Sequence, residues 1–225
     1  EWREGFVADA IFDYLRDARV HDVSGGENGA VLAPEDMAGW RASFEAPLSY
    51  DYHGWTVHKT GPWGQGPVML QALAILKGID LSAMDPMGAA FVHTVTEAMK
   101  LAFADREAYY GDPACAEIPM DVLLSDDYAA RRRALIGAQA SRDQRPGFVP
   151  GFEHLADAAV ARALRVAPQD APHASEHRGD TVHLDVIDRW GNMISATPSG
   201  GWLQSSPVIP GLGFPLNSRE IGRAH

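Results

Sequence analysis

Gly179-Asp180-Thr181-Val182-His183-Leu184-Asp185-Val186-Ile187 is the stretch on which the fold turns. From Thr181 onward apolar residues mostly alternate with polar ones, the period-two pattern of a strand. Arg189-Trp190-Gly191-Asn192 reads as a turn, and Met193 to Thr197 as the return strand of a hairpin. Upstream, Pro168 to Asp180 carries Pro, His and charged residues but no large apolar side chain. That composition predicts an exposed, mobile linker. A mobile linker thus runs directly into a rigid strand that begins with Thr181.

Threonine becomes a nucleophile when its own α-amine acts as general base. This requires Thr181 to be a chain terminus, so the Asp180–Thr181 bond would first have to be cut. An α-amine titrates at about 7.7–8.0, close to working pH, which suits a base. The plain alternative is a β-branched residue at the start of a strand. Ser199 lies on the far arm of the hairpin, from which its hydroxyl could approach Thr181 across the strands. The alternative there is a turn serine among Pro198, Gly200 and Gly201.

Around this junction the chain has 225 residues, with 19 Lys and Arg against 30 Asp and Glu, a net charge of −11. The length suits one large domain or two small ones. The acidic balance argues against a sequence-independent grip on nucleic acid. Cys115 is the only cysteine, which excludes an internal disulfide framework and a zinc site built on several thiolates. It reads as a small packed residue. No apolar run reaches the 18 or so residues of a membrane span. The chain begins at Glu1, without Met or a signal peptide, so the expectation is a trimmed start or a piece of something longer.

Working back from the junction, a first helix is expected over about 5–20, with Phe6, Ile11, Tyr14 and Leu15 on one face. Pro34 opens a short helix to about Ser43. Leu48 to Tyr52 and Trp55 to Lys59 read as strands joined at His53-Gly54. The glycine-rich loop Gly61 to Gly66 leads to a helix from about Val68 to Lys77, closed by Gly78. As an anion site this loop matches neither a phosphate loop nor a dinucleotide fingerprint, and a tight turn is the simpler reading. Asp85-Pro86 opens the longest helix, to about Tyr110, with an apolar stripe of Ala89, Val92, Val95, Met99 and Phe103. Gly111-Asp112-Pro113 stops it. Ser125-Asp126-Asp127 caps a helix from about Tyr128 to Gly137, in which Arg131, Arg132 and Arg133 read as a solvated face. The polar stretch 138–150 is a break in composition, and a short helix is expected over 155–164.

His173, Glu176 and His177 spell a metalloprotease-like pattern, but that pattern needs a helix and Pro172 argues against one. A zinc hydrolase built on these residues is one alternative reading; solvated histidines are the other.

Thr94 to Pro113, with Glu97-Ala-Met-Lys100-Leu-Ala-Phe-Ala-Asp105-Arg106 and Tyr110-Gly111-Asp112-Pro113, resembles a segment of the γ-glutamyltransferase family (γ-glutamyl transpeptidase, glutathione hydrolase). Gly61 to Pro67 with Leu70-Gln71 resembles that family's glycine-rich loop and following helix. Gly179 to Leu184, with Val186, Asp188, Gly191-Asn192 and Ser195, resembles its subunit junction "GDTTHLSVVDxxGNxVS". Pro207 to Gly213 resembles its "VVPGTG" stretch. The likeness runs from near Glu1 to about Asn217.

The resemblance implies an α+β fold, the αββα sandwich of N-terminal nucleophile hydrolases, of which this chain holds an incomplete part. It implies that residues 1–180 are the C-terminal part of a large subunit, with 168–180 as its tail, and that 181–225 start a small subunit. It implies a cut between Asp180 and Thr181, with Thr181 as nucleophile and, through its α-amine, general base. Ser199 matches in type the hydroxyl that orients the nucleophile. The implied activity is transfer or hydrolysis of γ-glutamyl amides such as glutathione through an acyl-enzyme. Partners would be that small molecule, water or an amine acceptor, and the other subunit; no cofactor or metal is implied. Alternatives are an acylase or amidohydrolase acting on another amide, and a truncated, non-catalytic fragment. Gly201 stands where the family has Asn, and the family's substrate-gripping acidic pair is not visible in 218–225.

Overall fold

The computed structural model describes residues 1–21, 27–165, 183–197, 208–214 and 216. They fall into two compact units, Glu1–Ser43 with Asp170–His225, and Phe44–Gln169. Among the described residues the strands form three two-stranded antiparallel sheets, interleaved with helices.

In the first unit, α1 (Phe6–Asp17) buries Ala8, Ile11 and Leu15, spaced three and four apart on one face. Phe6, expected on that face, is exposed. Strands β1 (Val20–His21) and β2 (Glu27–Asn28) pair briefly. Helix α2 (Pro34–Gly39) has Pro at its first position, and the Asp36 carboxylate accepts the Ala33 N–H at 2.8 Å. It ends before Ser43 because Trp40 is already extended and exposed. Met37 joins Ile11, Leu15, Ile209 and Leu216 in one apolar cluster. The unit also carries the hairpin β5 (Leu184–Ile187) and β6 (Met193–Ala196).

In the second unit, β3 (Leu48–Tyr52) and β4 (Trp55–Lys59) pair in register from Leu48–Lys59 to Tyr52–Trp55. His53 (φ 46°) and Gly54 (φ 88°) make the two-residue turn, whose left-handed backbone matches the strand twist. Helix α3 (Gly66–Leu76) is buried on nearly every side, against that hairpin and against α4 (Ala89–Tyr109) and α6 (Asp126–Arg133). Between α4 and α6 lies the single turn α5 (Met120–Leu123). Helix α7 (Glu153–Arg165) packs on α4.

Helix boundaries and faces in the second unit also differ from expectation, and α6 ends at Arg133 rather than near Gly137. Asp85 does not cap α4: it closes a turn, accepting Met87 N–H on its side chain and Gly88 N–H on its carbonyl, and the helix starts at Ala89. The inward face of α4 is Thr94, Glu97, Ala98, Leu101, Ala102, Asp105 and Tyr109, while Ala89, Val92 and Met99 of the expected stripe are exposed. Small residues and polar residues with partners make up most of that face, beside Leu101 and Tyr109. Gly78 follows α3 without a left-handed backbone. A Cβ there would lie 2.2 Å from Arg133 Nη1. Arg133 donates to the last carbonyls of α3, Ile75 at 2.6 Å and Ala74 at 3.2 Å, and so caps the helix C-terminus.

Candidate active site

The β5–β6 hairpin is built from its turn. Asp188 accepts Trp190 N–H (2.8 Å), Asn192 N–H (2.9 Å) and the Asn192 side-chain amide (2.8 Å). These bonds, the Asn192 amide foremost, hold the Asp188 carboxyl below the usual carboxylate range. Gly191 supplies the left-handed residue, φ 85°, that the tight turn needs. The register that follows pairs Ile187 with Met193, Val186 with Ile194, Asp185 with Ser195 and Leu184 with Ala196.

Side chains alternate between the two faces of a strand. One face therefore carries Leu184, Val186, Ile194 and Ala196. The other carries His183, Asp185, Ser195 and Thr197, with Ile187 and Met193 nearest the turn. On this polar face His183 Nε2 lies 2.9 Å from Asp185 Oδ2, and His183 Nδ1 lies 2.7 Å from Thr197 Oγ1. The Asp185 carboxyl is held low, first by the Ser195 hydroxyl and then by His183. A carboxylate only accepts, so Nε2 carries the proton and the Nδ1 of a neutral ring accepts the Thr197 hydroxyl. The order is carboxylate, imidazole, hydroxyl. Reading the strand for its first residue missed this grouping, although the i, i+2 spacing of His183 and Asp185 was its signal.

Asp180, Thr181 and Ser199 lie outside the described residues, as do His173, Glu176, His177 and the expected linker.

Elsewhere the structure corrects two readings and enlarges others. Arg132 is not solvated: it is buried beside Asp105, 3.2 Å away, and donates to the Leu101 carbonyl. The helical period turns Tyr128, Ala129 and Arg132 inward together. Arg133 is half-buried over α3, which leaves Arg131 as the solvated member. Cys115 is exposed rather than packed. Ser125 does cap α6, accepting Tyr128 N–H at 3.2 Å. Asp126 is more than a helix-start acid, since it accepts the Tyr50 hydroxyl at 2.6 Å, which lowers its pKa.

The stretch 138–150 is fastened onto α4. Gly147 N–H donates to Asp105 at 2.7 Å, Tyr109 donates to the Gly147 carbonyl, and Arg145 pairs with Glu97 at 2.8 Å. Burial works against the charge of Glu97, but Lys100 and Arg145 outweigh it and hold the carboxyl below its usual range.

The loop 61–66 is a close-packed turn. Gly64 N–H donates to the Gly61 carbonyl at 3.2 Å, and Trp63 donates to Glu45 at 2.7 Å. A Cβ on Gly66 would lie 2.7 Å from Thr60 Oγ1 and 2.9 Å from the Thr60 carbonyl oxygen. Backbone cannot give way as a side-chain tip can. Gly66→Ala is therefore expected to destabilise the chain by about 1–3 kcal/mol in urea unfolding, the usual cost of overpacking. Gly111→Ala, with nothing within 4 Å of the new Cβ, is the control and should change little. Equal midpoints for the two variants would refute the close-packing account.

The first unit also has an apolar groove of about 340 Å³, lined by Trp2, Ile11, Leu32, Met37 and Trp40 with Asp36. Among the described residues no helix is long and apolar enough to cross a membrane.

Residues 2–221 match the family model described as Gamma-glutamyltranspeptidase. The Acylase ACY 1 proenzyme of Pseudomonas sp. (strain SE83) is 29% identical over 216 residues, 95% of this chain and 32% of the relative. The glutathione hydrolase proenzyme of Bacillus subtilis subsp. natto is 29% identical over 192 residues, 84% of this chain and 32% of the relative. A solved structure of LmbA superposes with a TM-score of 0.75 at 46% identity, over 97% of this chain and 36% of that one. The cephalosporin acylase from Bacillus halodurans superposes with a TM-score of 0.68 at 30% identity, over 97% of this chain and 33% of that one. The chain thus spans about a third of the length of the relatives it matches, and its fold is part of the α+β fold of the N-terminal nucleophile hydrolases. With a match that leaves only Glu1 and the last four residues uncovered, the chain belongs to the γ-glutamyltranspeptidase family.

Proposed function

We propose that this chain is the junction region of a self-cleaving enzyme in which Thr181 attacks the Asp180 carbonyl, is freed as an N-terminus, and then hydrolyses or transfers γ-glutamyl amides such as glutathione. The observation that carries this reading is the hairpin register. The register pairs Leu184 with Ala196 and brings His183 within 2.7 Å of Thr197; were the ladder to continue in the same register, Thr181 would fall opposite Ser199. A strand continued to Thr181 would put the nucleophile and the orienting hydroxyl on the same polar face as His183.

The chemistry then follows. The freed α-amine takes the Thr181 hydroxyl proton, the oxygen attacks the γ-glutamyl carbonyl, and the amine of the leaving group is expelled as the acyl-enzyme forms. Water or an acceptor amine releases the γ-glutamyl group. Residues 1–180 would be the end of the large subunit and 181–225 the start of the small one. The proenzyme names of the acylase and glutathione hydrolase relatives support a cut into two chains.

The test is intact mass of the full-length protein, followed by turnover of a chromogenic γ-glutamyl anilide beside anilides of other acyl groups. Two chains parted before Thr181, with γ-glutamyl turnover, support the reading. An uncut protein sinks the cleavage claim. A cut protein that spares the γ-glutamyl anilide and hydrolyses another acyl anilide makes it the acylase that ACY 1 suggests.

A further inference from the structure

The tip of the β5–β6 hairpin carries an aromatic knob that its turn does not need. The Asp188 side chain accepts the Trp190 and Asn192 N–H groups and the Asn192 amide, and Gly191 N–H donates to the Asp188 carbonyl at 3.1 Å. The turn thus satisfies these polar groups itself. The side chains of Arg189 and Trp190 take no part in those bonds. The Arg189 guanidinium lies over the Trp190 ring, 4.1 Å from its centre, and Trp190 is 72% exposed. Among the described residues the other rings beneath a cation, Tyr50, Phe103 and Tyr128, are buried or half-buried. The two positions are also the ones that the family's junction motif leaves open. A fixed turn presenting a Trp backed by an Arg has the composition of an interface anchor.

The same unit holds a complementary surface. The apolar groove of about 340 Å³ includes Ile11 and Met37, both buried. Trp2 and Trp40 line it and stay more than half exposed. Trp2 rests against Phe214, with ring centroids 5.8 Å apart. One carboxylate, Asp36, stands in this apolar lining. The groove is at the low end of ligand-pocket size, suited to one indole with a guanidinium beside it. Trp190 does not fill the groove of its own chain, since it and the two groove tryptophans are all exposed.

We propose that a second copy of this protein docks on this groove, seating its Trp190 among Trp2, Met37 and Trp40 and pairing its Arg189 with Asp36. Charge selects the occupant. The chain carries a net charge of −11, so two copies repel where their surfaces meet at random. Arg189 opposite Asp36 sets a cation against a carboxylate at the contact itself. Knob and groove lie on one unit, so each copy offers both, and the contact can be made twice about a two-fold axis. Two indoles bury about 300–500 Å². That is below a standard interface, so the association is weak and depends on concentration. It holds whatever role Thr181 plays.

The experiment measures the mass of the full-length protein by sedimentation from roughly 1 to 500 µM, the range of weak complexes. The parent is expected to pass from one copy to two across that range. Trp190→Ala should weaken the association about 30-fold, the loss of a hot-spot residue. Arg189→Glu and Asp36→Arg should each weaken it about 10-fold, and by less at high salt. Mixed together, these two variants should regain it, because each copy then meets its opposite charge at both contacts. Asp36 also accepts the Ala33 N–H, so Asp36→Arg can loosen α2, and circular dichroism checks its fold. Trp40→Ala leaves that bond in place and tests the groove a second time; it should weaken association about as much as Trp190→Ala. A protein that stays single at every concentration overturns the proposal, as it would if another part of the full-length polypeptide covered the groove. A dimer indifferent to Trp190→Ala or to Trp40→Ala puts the contact on another face and overturns it too. So does a mixture of Arg189→Glu and folded Asp36→Arg that associates no better than either alone.

Discussion

Thr181→Ala in the full-length protein is expected to give a single uncut chain with no measurable γ-glutamyl turnover. On the proposed reading the substitution removes the one oxygen that both reactions would share: in the precursor it would attack the Asp180 carbonyl, and in the mature enzyme the substrate. Loss of a nucleophile that works as a unit with its base costs a factor of about 10⁶ in kcat in the best-studied hydrolases. On the proposed reading the loss would be compounded, because the α-amine proposed as base would never be released. Thr181→Ser keeps a hydroxyl and, once cut, an α-amine. It should therefore still part into two chains, more slowly, because serine lacks the methyl group that fixes threonine's rotamer. Intact mass and the anilide assay read both effects. An alanine variant that is still cut at the same bond, or still turns over, would remove Thr181 from the mechanism.

How far such features can be read from sequence depends on how local their physics is. The two hairpins were legible because their turns are short-range chemistry. His53-Gly54 supplies two consecutive left-handed residues, and Asp188 bonds only as far as Asn192. The Ser125 cap is equally local. The inner face of α4 was not legible, because hydrophobic periodicity looks for large apolar residues and this face is lined by Ala98, Ala102, Thr94, Glu97 and Asp105. Arg132 looked solvated for the same reason: its partner Asp105 lies on another helix. The stretch 138–150 read only as a break in composition, yet Asp105 and Tyr109 hold it through the Gly147 backbone and Glu97 holds it through the Arg145 side chain, contacts that composition does not display. Of the candidate site, Thr181 and Ser199 came from the linker–strand contrast and the family likeness. His183 and Asp185 were open to strand parity and were passed over.

Asp105→Ala is expected to be the most destabilising single change in the second unit, by about 3–5 kcal/mol, the cost of breaking a buried ion pair from one side. Asp105 is fully buried, Arg132 nearly so, and their charged atoms are 3.2 Å apart. Around the carboxylate converge the Gln71 amide (3.0 Å) and the Gly147 N–H (2.7 Å). Burial pushes the Asp105 carboxyl up and Arg132 pulls against it, so the pair is held by its partners rather than by any preference for charge in the interior. Removing the carboxylate leaves Arg132 buried with carbonyl partners only, and its Nε already has none among the described residues. It also frees the Gly147 anchor of the 138–150 stretch. The desolvation cost of the two charges offsets most of their attraction, so replacing both should be milder than the single losses suggest. Arg132→Met alone should cost a similar amount, because it strands Asp105. The double variant Asp105→Leu/Arg132→Met should then lose less than the sum of the singles by more than about 1 kcal/mol in urea unfolding, the range of coupling seen for residues in contact. Strictly additive losses, or a single loss under about 1 kcal/mol, would mean that the pair is incidental and that apolar packing around Leu101 and Tyr128 holds these helices without it.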